Sequence, residues 1–281
     1  MDALLLLLIA LLCMSAGTIG ALMGLGGGLI IIPLLTLGFG IPMQEAIGAS
    51  LIGVIATSTG AATKYVKQGL TNVRLALFLE MSTTMGSIIG ALIAVYTNQT
   101  VLFLFFSALL VYAGFTMLRR TELFFSPDEV KAEEQIVDLS CRYVDPRSNC
   151  EINYGVKGLR KGLAYSSVAG MLSGLLGVGG GLVKVPVMSV CMCVPLKAAT
   201  ATSNFMIGVT ALTGAIIFYG HGLLNAYLCA AVALGVFAGA YIGTMLMAKY
   251  SSNQLRKGFA IMLFIVAASM ILKTTGLWGG A

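Results

Sequence analysis

The stretch Ala16-Gly-Thr-Ile-Gly-Ala-Leu-Met-Gly-Leu-Gly-Gly-Gly-Leu-Ile-Ile-Ile-Pro33 decides the fold, because the chain says it twice. It returns as Ala169-Gly-Met-Leu-Ser-Gly-Leu-Leu-Gly-Val-Gly-Gly-Gly-Leu-Val-Lys-Val-Pro186. The offset of 153 residues holds without a gap well beyond the glycines. Pro42 meets Pro195, Ala46 meets Ala199, Ser50 meets Ser203, Thr57 meets Thr210, Gly69-Leu70 meets Gly222-Leu223, and Asn72 meets Asn225. Between 16 and 72, 17 of 57 aligned positions are identical, several times the chance level. Further on, Gly86 and Gly90 match Gly239 and Gly243. The period is far too long for a solenoid, so the chain is a two-fold duplication.

Composition says what kind of duplication. Of 281 residues, 58% are hydrophobic and 10% charged, against about 25% charged in a soluble domain. Such a chain cannot cover itself with polar groups, which excludes a soluble cytosolic enzyme. The apolar residues come in long blocks, which excludes a fibrous or disordered protein. The fold class is therefore an all-α polytopic membrane protein. The blocks run 3–23, 29–40, 43–65, 75–96 and 100–118 in the first copy, and 160–178, 182–193, 196–219, 226–248 and 257–275 in the second. Eight are long enough to cross a bilayer, but 29–40 and 182–193 are short. Twelve helical residues cover about 18 Å of a hydrocarbon core about 30 Å thick. Both short blocks follow a triple glycine and carry a proline near their start. The expected division is repeat 1 over 1–120, a connecting loop over 121–157 and repeat 2 over 158–281.

Charge placement orients the blocks. If each short block completes a crossing, each copy has five segments, and Lys64, Lys67, Arg74, the stretch from Arg119 to Lys161, Lys197, Lys249, Arg256 and Lys257 fall on one side. Asp2, Glu45, the neutral Thr97-Asn98-Gln99 turn, His221 and the C-terminal tail fall on the other. That division follows the positive-inside rule. It predicts both termini outside, the 121–157 loop in the cytoplasm, and inverted copies. A re-entrant hairpin made of a shortened first helix and the short block gives the same sidedness. The basic balance thus belongs to membrane edges, not to nucleic acid. The cysteines show no extracellular disulfide pattern, and Cys141 and Cys150 lie in the polar loop, where a plain connector with a helix capped by Ser126 is expected.

Inverted repeats with Gly/Pro-interrupted segments at matching positions are a secondary-transporter architecture. Irregular backbone is tolerated at membrane depth only where it is buried in protein or lines a polar cavity. The stretches Gly26-Gly27-Gly28 and Gly179-Gly180-Gly181 would direct free N–H groups and the dipole of the short helix toward an anion. Close helix packing is the competing reason for those glycines. Lys184 aligns with Ile31, so one half carries a charge that the other lacks. A lysine within a span is a functional candidate by default, here as counter-charge to an anion, unless it snorkels to the interface. Ser50, Thr57, Ser203, Asn204 and Thr210 are hydroxyl or amide donors for anion oxygens, or else helix-to-helix links. Glu80, whose counterpart is Ala233, is a candidate coupling group, or an ion-pair partner of Lys64, Lys67 or Arg74. His221 in its turn is the other protonation candidate.

The pattern Gly-x-Gly-Gly-Gly-x4-Pro in both halves, followed by Gly48-Ala49-Ser50 and by Ala201-Thr202-Ser203, resembles the TauE/SafE family of sulfite exporters and 4-toluene sulfonate uptake permeases. The resemblance covers nearly the whole chain outside 121–157. It implies a non-enzymatic carrier for small sulfur oxyanions or organosulfonates, with Thr202 among the ligand-binding hydroxyls. The first copy has Ala49 in that place, so the halves would contribute unequally. The expectation is a secondary transporter working by alternating access, without metal or cofactor beyond a proton or sodium gradient. Its partners are a small anion and the lipid bilayer, with no nucleic acid, and its state is monomer or homodimer. A passive anion channel and a carrier of non-sulfur organic anions remain the alternatives.

Overall fold

A computed structural model describes residues 3–119, 139–144, 151–246 and 263–272. The capping motif at Ser126, Cys150 and the basic residues Lys249, Arg256 and Lys257 lie outside the described residues. Helix α1 (Ala3–Met23) leads through the first glycine break into the short α2 (Gly28–Pro33). Pro33 withdraws a backbone donor, and the chain continues from it as a wider π turn over Leu34–Gly38. Helices α3 (Met43–Lys67), α4 (Val73–Tyr96) and α5 (Gln99–Arg119) follow. The second copy repeats the order with α6 (Leu159–Leu176), α7 (Gly181–Pro186) and its π turn Val187–Cys191, α8 (Leu196–Gly220), α9 (Ala226–Leu246) and α10 (Leu263–Leu272). Helices α1, α3, α4, α8 and α9 are each long and apolar enough to cross a membrane. The protein is a multi-pass, all-α membrane protein.

The short segments are alike down to single hydrogen bonds. Ile41 N–H donates to the Leu35 carbonyl at 3.1 Å, and Val194 N–H to the Met188 carbonyl at 2.9 Å, both across the end of the π turn. Gly24, Gly26 and Gly27 take φ of 70°, 77° and 76°, and their counterparts Gly177, Gly179 and Gly180 take 65°, 76° and 70°. Those left-handed values are what glycine allows at little cost. They turn the chain back on itself inside the bundle, so that Gly27 packs against the Ala16 carbonyl of α1, seven residues before that helix ends.

The copies exchange their helices. Gly86 and Gly90 of α4 pack on the backbone of Ser167 and Met171 of α6, while Gly239 and Gly243 of α9 pack on Met14 and Thr18 of α1. Each pair is the 153-residue image of the other. Small residues let these backbones touch where lipid supplies no hydrophobic drive. In both pairs numbering rises together, so the partners run parallel. At the centre the equivalent helices α3 and α8 cross antiparallel: Leu51 meets Gly214, and Ser58 meets Gly208 and the Asn204 carbonyl.

The two ends of the bundle differ. At one end, Gln44 Nε2 donates to the Thr97 carbonyl and Tyr96 meets His221. At the other, Asn72 caps α4 by accepting from Leu75 N–H, and its Nδ2 donates to the Leu139 carbonyl. This second end carries Lys64, Lys67, Arg74, Arg160, Lys161 and Lys197. It also carries a small antiparallel hairpin, β1 (Cys141–Val144) and β2 (Glu151–Tyr154). Tyr143 and Tyr154 are buried in one apolar cluster with Leu75, Met188 and Met192, so this part of the connecting loop is docked on the helices.

Candidate functional site

The two glycine breaks touch each other at the middle of the bundle. Gly28 faces the Gly177 carbonyl and the Cα of Val178, and Gly181 faces the Gly24 carbonyl and the Cα of Leu25. Gly26 and Gly179 both lie against Val54 and Ile207, where α3 crosses α8. The flanking hydroxyls hold the breaks in place. Ser50 donates to the Gly177 carbonyl at 2.8 Å, and Ser203, its image, to the Gly24 carbonyl at 3.1 Å. Thr57 bonds the Gly53 carbonyl at 2.9 Å and reaches the Gly26 carbonyl at 3.3 Å. In this state, then, Ser50, Thr57 and Ser203 serve break carbonyls, and Gly28 and Gly181 serve close approach. Thr202 accepts from the Asn72 N–H at 3.0 Å, toward the basic end. Asn204 donates to the carbonyls of Ala21 and Thr200 and leaves its buried Oδ1 without a hydrogen-bond partner.

These carbonyl contacts make a direct prediction. Ser50→Ala or Ser203→Ala strands a buried carbonyl and should cost about 1–3 kcal/mol. Thr59→Ala, at an exposed hydroxyl bonded only to its own helix, should stay within about 0.5 kcal/mol. Thermal unfolding of the detergent-solubilised protein checks the contrast.

The charged residues lie beside the second break. Lys184 is 1% exposed and Glu80 8%. Their closest approach is 3.6 Å, from Lys184 Nζ to Glu80 Oε2. Between them stands Thr210, about midway along α8. Its hydroxyl accepts from Lys184 Nζ at 2.6 Å and donates to Glu80 Oε1 at 2.6 Å. Thr83 lies 3.4 Å from the same hydroxyl, and Ser87 donates to the Thr210 carbonyl at 2.8 Å. Lys184 therefore does not snorkel to an interface. Glu80 pairs with it and not with Lys64, Lys67 or Arg74, because its face of α4 turns toward α8. Lys64 instead extends over the Tyr241 ring, 5.6 Å from its centroid. That contact lines a groove of about 350 Å³ with Thr59, Thr63, Lys67 and Phe237.

The image of this cluster at the 153-residue offset, drawn like the cluster itself from both copies, is apolar. Ile31 stands for Lys184, Ala233 for Glu80, Val236 for Thr83 and Ala240 for Ser87. Ile31 and Val236 close around Gly53. Only Thr57 keeps the hydroxyl of Thr210, and it turns to backbone carbonyls. His221 stands apart from the cluster, exposed at the opposite end from the hairpin. Its Nδ1 lies 2.8 Å from the Ile217 carbonyl and its ring packs edge-on to Tyr96 at 5.8 Å. Thr83 and Ser87 escaped sequence reasoning, although 80, 83 and 87 fall on one helical face and form a polar stripe that spacing alone could have revealed.

An arrangement of this kind can hold and release an anion. It offers the Lys184 amine at depth, the Thr210 hydroxyl beside it, and the Glu80 carboxylate held against both.

The family described as sulfite exporter TauE/SafE matches residues 8–270. The chain is similar to the probable membrane transporter protein YunE of Bacillus subtilis, at 27% identity over 94% of this chain and 96% of that one. It is similar to the probable membrane transporter protein YdhB of the same organism, at 26% over 84% and 88%. A probable membrane transporter protein of Haemophilus influenzae matches at 25% over 92% and 95%. No solved structure matches the chain.

Proposed function

The chain belongs to the sulfite exporter TauE/SafE family, and from that premise we propose that it is a secondary transporter carrying small sulfur-containing anions, such as sulfite or an organosulfonate, across the cytoplasmic membrane. The observation that carries this reading is Lys184. A buried lysine at membrane depth is costly and needs a reason, and here the equivalent site is filled by Ile31 and Ala233 without charge. Replacing a buried ion pair with apolar residues is often neutral or stabilising. The cluster of Glu80 from the first copy and Lys184 from the second retains its pair because an anion uses it. The anion binds between the two glycine breaks, with Lys184 as counter-charge and Thr210 as donor.

A moving carrier is favoured over a static pore by the contact of the two breaks. Gly28 and Gly181 seat directly on the opposite backbone, so passage requires that the breaks part. Alternating access follows from the inverted relation of the halves, which the antiparallel crossing of α3 and α8 supports. The basic end with its docked hairpin faces the cytoplasm by the positive-inside rule, leaving His221 and both termini outside. Binding and conformational exchange are the whole of the chemistry, and no bond in the substrate is made or broken.

Uptake of labelled sulfite, sulfoacetate and taurine into proteoliposomes tests the reading. Accumulation above equilibrium under an imposed ion gradient supports a secondary transporter. Plain equilibration points to a channel, and no flux of any of the three removes the sulfur-anion assignment.

A further inference from the structure

We propose that Glu80 is the resident occupant of the anion site, and that it gives up Lys184 by taking a proton, so that each anion is bound together with one proton. The inference rests on the transporter reading above and adds its coupling.

The geometry already shows a carboxylate held as a substrate anion would be. One oxygen, Oε1, accepts from Thr210, and the ammonium of Lys184 lies 3.6 Å from the other. Oε2 is buried and has no hydrogen bond. Two anions cannot share one buried ammonium without leaving a net negative charge where water is excluded. Protonating Oε2 removes that conflict. A proton from the aqueous phase adds to Glu80 Oε2, Lys184 keeps its own proton, and the arriving anion takes the place beside the ammonium. No covalent bond of the anion changes. Charge balances before and after: ammonium with carboxylate first, then ammonium with anion beside a neutral carboxylic acid. The new O–H on Oε2 has an acceptor in the anion itself. Thr210 lies within reach of both groups and spans the exchange.

Nothing else in the surroundings offers the same exchange. The helices packed on α4 are α6 and α8, with α7 bringing Lys184 into the same cluster. Their titratable or charged side chains are Arg160, Lys161 and Tyr165 on α6, Lys197 and Tyr219 on α8, and Lys184 on α7, with Arg74 and Tyr96 on α4 itself. Among the described residues, only Lys184 makes an ion pair with Glu80. The apolar image of the cluster shows that the fold closes without the pair. A structural strut would have no reason to be charged in only one of the two symmetry-related clusters.

The test reconstitutes the full chain with a pH-sensitive dye inside the vesicles and adds p-toluenesulfonate, 2-hydroxyethanesulfonate or sulfite outside. The two sulfonates stay ionised throughout, so any proton that moves with them is carried by the protein. The expected result is anion uptake with internal acidification, and accumulation by roughly tenfold per unit of inward pH gradient for a monovalent anion carried with one proton. Glu80→Gln, which imitates the protonated acid, should still bind and equilibrate the anion, but with affinity independent of pH and no accumulation. Proton flux in the unmodified protein decides the matter even if the variant folds poorly. If an anion moves without protons, or if Glu80→Gln accumulates it as the unmodified protein does, the coupling is wrong and the transporter reading stands. If none of the three is bound or moved, both fall.

Discussion

Lys184→Ile should unfold far more easily than the unmodified protein, and adding Glu80→Ala should restore its stability without restoring transport. The single substitution leaves the Glu80 carboxylate buried at 8% exposure, with only the Thr210 hydroxyl as partner. Breaking a buried pair from one side costs about 3–5 kcal/mol, because one charge remains uncompensated. The double substitution reproduces the image cluster, where Ile31 of the first copy and Ala233 of the second occupy the equivalent positions. That image cluster packs well, with Ile31 fully buried, so the double variant should return to within about 1 kcal/mol of the original. Uptake should be lost in both variants, since neither has a cation for the anion. Melting in detergent and tracer uptake at matched protein levels separate the two effects. A double variant that still transports removes Lys184 from the site. One that stays unstable means that the pair is needed for folding, and the case for function from asymmetry is lost.

How much of this was legible in the sequence follows from where each signal resides. The duplication, the short broken segments and the asymmetry of Lys184 and Glu80 are properties of single positions and their images, so they could be read without coordinates. Sequence could not say that Lys184 and Glu80 meet. They are 104 residues apart, on α7 and α4, and only the exchange of helices between the copies brings α4 against α6 and α8. Proximity along the chain favoured Lys64, Lys67 or Arg74 as partners for Glu80, and tertiary packing overrode it. The hydroxyls were misleading for another reason. Ser50 and Ser203 are in register with the breaks, as sequence suggests, yet a backbone that leaves the helix exposes carbonyls as well as N–H groups. In this state the carbonyls of Gly24 and Gly177 claim those hydroxyls. The polar stripe of Glu80, Thr83 and Ser87 was available in the sequence, and it becomes meaningful once α8 is known to face it.

Gly181→Ala should be among the most damaging of small substitutions, and the reason is not conformational freedom. Neither Gly28 nor Gly181 has a positive φ, so alanine could adopt the backbone at both places. The obstruction is contact: a methyl group on Gly181 would overlap the Gly24 carbonyl, and one on Gly28 the Gly177 carbonyl, with the Val178 Cα only 2.8 Å away. These are backbone atoms and cannot turn aside as a side chain can. Overpacking of this kind costs about 1–3 kcal/mol. It is applied where the two breaks must meet and part, so uptake should fall by tenfold or more even where folding survives. Gly27→Ala separates the causes, since it combines left-handed strain of about 1–2 kcal/mol with a looser 3.1 Å approach to the Ala16 carbonyl. It should destabilise the first copy without wedging the breaks apart. Gly220→Ala, in open space at the end of α8, should do neither. If Gly181→Ala and Gly220→Ala transport alike, the breaks are not the moving contact. If Gly181→Ala and Gly28→Ala fail alike while Gly27→Ala melts earlier yet still transports, the interlocked carbonyls are the closed gate. The pseudo-symmetry of the two contacts then means that one motion must release both.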